Sequence, residues 1–131
     1  MSRRARRSRE DERPLFTDPD EIPLRSEYRS MWLFALFDLP VVSKAQKRRA
    51  AGFRKDLIKR GFTMLQFSVY ARHCANEEAA IALRTQVRGF LPPDGQVRLI
   101  GITDRQFGRM EVFSGRKRTP TEDPPAQLML F

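Results

Sequence analysis

Residues 31–40, with the sequence MWLFALFDLP, decide the fold of this chain. A short apolar run that is rich in aromatic residues and closed by Pro40 predicts a strand buried on both faces. Strand side chains alternate between the two faces, so one face carries Trp32, Phe34, Leu36 and Asp38. A carboxylate at the end of an apolar stripe is costly to bury unless it is paired or bound to a metal. Asp38 is therefore the first candidate functional residue.

The positive charge of the chain is concentrated in its middle. The 131 residues carry a net charge of +9. Residues 31–117 hold 16 Lys and Arg against 7 Asp and Glu, whereas residues 1–30 hold 8 against 7. A compact basic domain of this kind commonly binds a polyanion, usually nucleic acid. Composition alone leaves open the alternative of a basic protein with no nucleic-acid role.

Cysteine content and hydropathy indicate in which cellular compartment the protein is expected. The single cysteine, Cys74, excludes an internal disulfide, which fits a reducing cytoplasm. No stretch approaches the roughly 20 apolar residues of a membrane-spanning helix, and the basic N-terminus lacks the apolar segment of a signal peptide. His73 and Cys74 have no second pair of metal ligands, so both are expected to pack at a strand end. These features predict a cytoplasmic protein with no membrane partner.

Residues 43–60 have the composition and periodicity of a helix that begins at Ser43 and stops near Gly61. Its apolar stripe is predicted to contain Ala50, Phe53, Leu57 and Ile58. Cations at spacings of three, four or seven residues line another side of the helix and are candidate phosphate ligands. These candidate nucleic-acid-binding residues are Lys44, Lys47, Arg48, Lys55 and Lys59.

The rest of the chain alternates between strand and helix patterns. Residues 62–72 predict one unbroken strand, residues 76–90 a second helix, and residues 96–103 a further strand. A loop over 104–109 and a short strand over 110–114 follow. This order indicates one layer of helices packed on one sheet.

Helices on a single side of the sheet leave the other side of the first strand uncovered. Trp32, Phe34 and Leu36 then need another cover, and a second copy of the chain is the simplest one. We therefore predict a homodimer that brings two Asp38 residues near its symmetry axis. The alternative is that a loop or the C-terminal tail folds over this face.

Four motifs together resemble a known family. They are FDLP, GFTMLQFSVYARHC, FLPPDGQVRLIGITDRQFG and MEVFSG, and they lie within residues 31–117. In combination they resemble the second CRISPR-associated protein, the small subunit of the spacer-acquisition complex, in its type II version. The resemblance implies an α+β, ferredoxin-like fold of order βαββαβ, with helices on one sheet face and a homodimer through the other. It also implies a bridge between CRISPR-associated integrase subunits along duplex prespacer DNA.

The resemblance also implies roles for individual residues. Asp38 corresponds to an aspartate that is associated with a divalent metal, here Mg²⁺, and with endoribonuclease or deoxyribonuclease activity in some members. Met64 stands where many relatives carry an arginine, so one phosphate ligand is missing. The fold requires a bend near residues 66–68, although no Gly or Pro lies there. The matching subunit-contact positions are Gln66, Ser68 and Tyr70.

Two terminal segments flank the predicted domain. Residues 1–30 have the composition of a disordered arm, and residues 118–131 that of a flexible tail. The tail ends in a short apolar peptide typical of a docking segment. This peptide is predicted to dock on the integrase or on its own domain, and it also resembles peptides that bind the replication sliding clamp. Its candidate docking residues are Gln127, Leu128, Leu130 and Phe131.

Three functions remain in competition. The first is a scaffold whose dimer binds duplex DNA phosphates through basic helix faces, without sequence readout. The second is a metal-dependent phosphodiesterase centred on Asp38 that cuts RNA or DNA. The third is a toxin-like ribonuclease of similar fold, which predicts growth arrest on expression.

Overall fold

The predicted apolar run forms the central strand of a sheet. The computed structural model describes residues 30–124. Within that range the elements are, in chain order, β1 (Met31–Asp38), α1 (Lys44–Lys59), β2 (Thr63–Gln66), β3 (Val69–Cys74), α2 (Glu77–Arg88), β4 (Gln96–Thr103), α3 (Asp104–Gly108), β5 (Val112–Ser114) and β6 (Lys117–Thr119). The predicted N-terminal arm and docking peptide lie outside the described residues, apart from Ser30.

β1 lies inside the main sheet because its two faces are both apolar. The sheet has four strands in the order β2-β3-β1-β4. β1 pairs antiparallel with β3 and with β4, and β2 pairs antiparallel with β3. The order βαββαβ with this arrangement is the ferredoxin-like fold, so the predicted α+β fold class is confirmed.

Both long helices cover the same face of the sheet. Leu33, Ala35 and Phe37 of β1 are buried there. They pack against the buried apolar residues of the two helices, which are Phe53 and Leu57 of α1 and Ala80, Leu83 and Val87 of α2. Ile58 does not belong to this stripe, contrary to prediction, because its side chain is 57% exposed.

Each long helix begins at the predicted capping residue. The Ser43 hydroxyl accepts a hydrogen bond from the Gln46 backbone N–H, and the Gln46 side chain accepts one from the Ser43 backbone N–H, both at 3.0 Å. The Asn76 side chain accepts a hydrogen bond from the Ala79 backbone N–H at 2.8 Å. These caps satisfy backbone donors that would otherwise lack partners in the first turn.

The prediction of one unbroken strand over 62–72 is wrong. The segment forms a hairpin, β2 and β3, with its turn at residues 67–68. Ser68 takes the left-handed conformation, with φ of 67°, and its carbonyl accepts a hydrogen bond from the Phe37 N–H at 3.1 Å. Tertiary hydrogen bonding therefore holds a turn that lacks Gly, and the bend implied by the family resemblance is present.

The segment after β4 is more ordered than predicted. Residues 104–108 form the short helix α3, capped by Thr103 and Gln106, where the sequence predicts a loop. The predicted strand over 110–114 is shorter, and its partner β6 has no counterpart in the prediction. The predicted domain boundary after residue 117 consequently falls inside β6.

Candidate nucleic-acid interface and the Asp38 end of the sheet

The outer side of α1 carries the predicted stripe of cations. Burying Ala50, Phe53 and Leu57 against the sheet turns the opposite side of the helix to solvent. Within residues 30–124 none of the five side chains makes a hydrogen bond or an ion pair with another side chain. All five predicted phosphate ligands are exposed, namely Lys44, Lys47, Arg48, Lys55 and Lys59.

Small side chains separate the cations in the middle of this surface. Ala51 and Gly52 lie between Arg48 and Lys55, and a Cβ added at Gly52 would meet no atom within 4 Å. Asp56 is the only acidic residue of α1 and is partly buried. The surface is therefore positive and open to a rod-shaped polyanion, and we call these five cations with Ala51 and Gly52 the α1 basic face.

Arg49, another cation of α1, forms an ion pair within the protein. The Arg49 guanidinium lies 3.3 Å from the Asp94 carboxylate in the loop before β4. Both side chains are more than one third exposed, so this ion pair contributes little stability. It connects the start of α1 to the loop that lies beside the end of β1.

Asp38 ends β1 with its side chain exposed. Its cross-strand partner on β4 is Gln96. Gly95 takes φ of 88°, and a Cβ there would lie 2.6 Å from the Asp38 carbonyl oxygen. Among residues 30–124, no side chain or backbone donor binds the Asp38 carboxylate. The carboxylate is therefore available to a ligand in solution or to a second molecule.

The donor set of residues 30–124 does not form a magnesium site. Mg²⁺ requires about six oxygen ligands in octahedral geometry, several of which are commonly water. In the described part of the chain, no three His, Cys, Asp or Glu side chains are grouped so that they could hold a metal. Among the described residues, Asp38 is the one carboxylate of β1, and the predicted dimer would supply a second Asp38.

The second face of the sheet is partly covered from within. Trp32 and Phe34 are only 4% and 8% exposed. Phe107 of α3 stacks on Trp32 with ring centroids 3.8 Å apart, and Met110 packs beside it. The segment that follows β4 therefore covers Trp32 and Phe34, as in the predicted alternative of a loop folded over this face. A second copy of the chain is not needed to bury these two residues.

The remaining predicted interface residues divide between the two faces. Tyr70 pairs with Ala35 and is buried in the core beneath the helices, not on the face predicted for the dimer. Leu36 is partly buried on the second face, whereas Gln66 is exposed and Ser68 forms the turn described above. The sequence analysis assumed one unbroken strand and therefore placed Gln66, Ser68 and Tyr70 on one face. The turn at residues 67–68 interrupts the alternation of side chains, so these residues do not share a face.

A partly buried polar cluster joins α3 to the sheet. The Trp32 indole donates a hydrogen bond to Asp104 at 2.7 Å, and the His73 Nε2 atom lies 3.8 Å from the same carboxylate oxygen. Burial lowers the pKa of His73, and the Asp104 carboxylate partly opposes that change. Burial likewise raises the pKa of the Cys74 thiol, with partial opposition from Arg72. His73 and Cys74 are both buried at the end of β3, in agreement with the predicted packing.

Two residues beside Asp38 do not stand out in the sequence. Gln96 lies opposite Asp38, and Arg98 lies opposite Leu36, so both share the face of Asp38. Arg98 donates a hydrogen bond to the Gln96 side chain at 3.3 Å. The alternation of β4 places both on one face, but only the pairing register brings them beside Asp38.

The fold and these surfaces define a small ferredoxin-like protein with a basic helix face and an exposed carboxylate at the end of its central strand. Residues 31–110 match the profile of the family described as CRISPR associated protein Cas2. The chain belongs to this family, which functions within CRISPR systems.

Curated relatives support this assignment over most of the domain. A protein of Parvibaculum lavamentivorans is 48% identical over 77% of this chain and all of its own length. A protein of Flavobacterium psychrophilum is 43% identical over 81% of this chain and 92% of its own length. One from Paracidovorax avenae is 44% identical over 79% and 96%. Each of these relatives is named CRISPR-associated endoribonuclease Cas2.

Membrane insertion by a helix finds no support in residues 30–124. None of the helices there combines the length and the apolar character of a membrane span.

Proposed function

We propose that this protein is a scaffold of CRISPR spacer acquisition, which binds duplex prespacer DNA through the α1 basic face. The observation that carries this proposal is the exposure, on one side of α1, of five cations that have no ion-pair partner among residues 30–124. DNA backbone binding needs cations that are free to replace condensed counterions. Asp56, the only acid of the helix, does not cancel them.

The proposed scaffold is a homodimer that bridges subunits of the CRISPR-associated integrase. The part of the second sheet face that α3 leaves open supports a contact between copies. Ile100 of β4 is 50% exposed there, and Leu36, Leu65 and Val69, which pack on the cluster around Trp32 and Phe34, are partly buried. β4 is also an edge strand of the main sheet, with one side unpaired by any described residue. Burying such an edge is a common way to join two sheets.

The C-terminal peptide would connect the scaffold to a partner. Residues 127–131 lie outside the described residues, so this part of the proposal rests on their apolar sequence after a Pro-rich linker. We propose the integrase subunit as its docking partner, with the sliding clamp as the competing one. Co-purification with each partner, with and without residues 127–131, separates the two.

The DNA-binding proposal is tested by the salt dependence of affinity. We expect replacement of Lys47, Arg48 and Lys55 by Gln to weaken binding of a short duplex equally for unrelated sequences. The slope of log K against log salt should decrease by about 0.9 for each phosphate that the variant no longer neutralises. Fluorescence anisotropy at several salt concentrations provides both quantities.

The matched control for the α1 triple variant removes three cations from the β5–β6 hairpin. Replacing Arg116, Lys117 and Arg118 of the β5–β6 hairpin by Gln changes the net charge equally while leaving α1 intact. Wild-type affinity that is indifferent to salt, or an equal decrease of affinity in both triple variants, would contradict binding specific to the α1 basic face.

A second candidate function is phosphodiester cleavage with Asp38 as a metal ligand. The exposed Asp38 carboxylate, which has no hydrogen-bond or ion-pair partner within the described range, favours it, together with relatives that are named endoribonucleases. A metal would supply Lewis acidity and an activated water. Within residues 30–124 no group of three metal ligands lies around Asp38, so the proposed dimer would have to bring two Asp38 residues together around Mg²⁺.

Asp38→Ala separates the two functions. If the variant no longer cleaves RNA or DNA but still supports spacer acquisition, the scaffold is favoured as the cellular role. If both activities disappear while the dimer stays intact, catalysis is favoured. Asp123→Asn, which removes an exposed acid outside the sheet, is the matched control. Growth arrest on expression would instead support the toxin-like ribonuclease.

A further inference from the structure

The outer edge of β2 is open in the described part of the chain. β2 is the first strand in the order β2-β3-β1-β4, so β3 is its only neighbour in the sheet formed by residues 30–124. An edge strand presents unpaired backbone N–H and C=O groups, which proteins commonly protect with a charged residue or a proline. The residues of β2, Thr63–Gln66, include neither, although the pairing with β3 shifts register between Met64 and Gln66. This edge is therefore open to a short added strand.

Two exposed apolar side chains lie on the helix side of the sheet near this edge. Met64 pairs with Tyr70, which is buried in the core beneath the helices, so the Met64 side chain is on the same side of the sheet. Met64 is 54% exposed, and Ile58 in the last turn of α1 is 57% exposed. Neither side chain is used to form the core.

The orientation of α1 places Ile58 on the β2 side of the helix. Arg49 forms an ion pair with the loop before β4, and the Arg60 guanidinium lies 4.8 Å from the centroid of the Phe90 ring, which follows α2. One flank of α1 therefore faces α2 and β4. Arg54 and Ile58 are four residues apart on the other flank of the buried stripe, so they face the edge formed by β2.

The flank of α1 that faces β2 is positive as well as apolar. Arg54 is partly buried and has no ion-pair partner among residues 30–124. Asp56, the only acid of α1, lies on the flank that faces α2, and β2 carries no charged side chain. We call Arg54, Ile58, Met64 and the outer edge of β2 the β2 edge surface.

We propose that the β2 edge surface binds an extended apolar segment of the integrase subunit, which adds to β2 as a strand and places a carboxylate near Arg54. Strand addition supplies backbone hydrogen bonds, and alternate side chains of the added strand contact Ile58 and Met64. A peptide matches this edge because it offers regularly spaced backbone N–H and C=O groups. The unpaired charge of Arg54 favours an acidic segment. This inference rests on the proposed function, which makes the integrase subunit the bridged partner.

The test measures the affinity of the full-length protein for the purified integrase subunit. We expect Ile58→Asn and Met64→Asn each to weaken binding about tenfold, because each removes an apolar contact at the centre of the surface. Both side chains are more than half exposed, so the variants should keep the fold, which circular dichroism verifies.

Two controls lie on α2, outside the β2 edge surface. Ile81→Asn changes the same residue type at a side chain that is 55% exposed, and it should change the affinity by less than about twofold. Arg54→Glu should weaken binding more than Arg88→Glu, because the first reverses the charge that faces the acidic segment and the second reverses an exposed charge elsewhere.

Hydrogen exchange distinguishes strand addition from a contact between side chains alone. The amides on the outer edge of β2 have no strand partner within residues 30–124, so they should exchange more slowly in the complex than in the free protein. If these amides exchange equally fast in both states, strand addition is wrong even where the Asn variants bind more weakly.

The outcomes separate this inference from the function on which it rests. If the wild-type protein does not bind the integrase subunit, the bridging proposal fails and this inference fails with it. If the wild type and both Asn variants bind equally well, only this inference fails. Weaker duplex binding by Ile58→Asn with unchanged integrase binding would assign the surface to DNA, and loss of a dimer in sedimentation would assign it to a second copy. Either result would overturn the inference.

Discussion

At the scale of single residues, Phe107 and Asp104 decide how the second sheet face is covered. The Phe107 ring lies nearly parallel to Trp32, with an interplanar angle of 7°, and is 1% exposed. Asp104 lies in the first turn of α3, the helix that also contains Phe107, and its carboxylate accepts a hydrogen bond from the Trp32 indole. Phe107 therefore buries the apolar ring of Trp32 and Asp104 binds its indole N–H, both within one chain.

Replacement of Phe107 by Ala should destabilise the protein by about 3–5 kcal/mol, because it leaves a cavity over Trp32. Trp32 is the only tryptophan, so its fluorescence should also shift towards the red as water reaches the ring. Urea unfolding monitored by fluorescence measures both effects. Phe113→Ala, at a side chain that is 56% exposed, should change stability by no more than about 0.5 kcal/mol.

His73 should make stability dependent on pH. Burial lowers its pKa in the folded state, so the unfolded chain binds the proton more tightly. The stabilisation is fully present above the unfolded pKa of about 6.5 and is lost as the pH falls through the lower folded value. Urea unfolding at a series of pH values from 7.5 to 5 should show this decrease.

His73→Phe is the control for that pH series, because it keeps a ring beside Trp32 and removes the titrating group. We expect the variant to lose part of the pH dependence between about 7 and 5. An unchanged profile would show that His73 does not cause the pH dependence.

At the scale of elements, two turns have backbone conformations that helix and strand patterns in the sequence do not predict. Gly95 precedes β4 with φ of 88°, close to the Asp38 and Leu39 backbone. Ser68 occupies a similar conformation without being a glycine. Both turns lie at the end of the sheet where β1 finishes, so they position the surroundings of Asp38.

Gly95→Ala should lower the free energy of unfolding by at least about 1 kcal/mol, because the left-handed conformation is unfavourable for L-residues and the new Cβ would meet the Asp38 carbonyl. Gly52→Ala in α1 is the matched substitution, since its Cβ meets nothing within 4 Å. It should stabilise the protein by about 0.5–1 kcal/mol. Equal effects of the two substitutions would contradict this assignment of the turn.

At the scale of the whole molecule, the predicted dimer depends on the part of the second face that α3 leaves open. Ile100→Glu would place a charge on that face, whereas Ile81→Glu changes the same residue type on α2. The two side chains are 50% and 55% exposed. We expect sedimentation at micromolar concentration to show a dimer for the wild type and for Ile81→Glu, and a monomer for Ile100→Glu.

A wild-type monomer under those conditions would remove the basis for paired Asp38 carboxylates. The second face would then be sufficiently covered by α3 in solution, and residues 30–124 of one chain hold no group of three ligands for Mg²⁺. DNA binding by the α1 basic face could persist, because its cations lie on the helix side of the sheet.

Local sequence patterns were sufficient to predict the central strand, both long helices with their caps, and the cations on the outer side of α1. Each of these follows from local periodicity or from capping chemistry, so neighbouring residues contain the information. The family resemblance added the hairpin between the helices, which the residues of the turn did not indicate.

Local patterns did not predict the covering of Trp32 by Phe107, the burial of Tyr70 in the core, or the placement of Arg98 beside Asp38. These contacts join residues that are far apart in the chain, through strand register and through a turn held by the Phe37–Ser68 hydrogen bond. A one-residue change of register would move such side chains to the opposite face, and local patterns do not specify the register between distant strands.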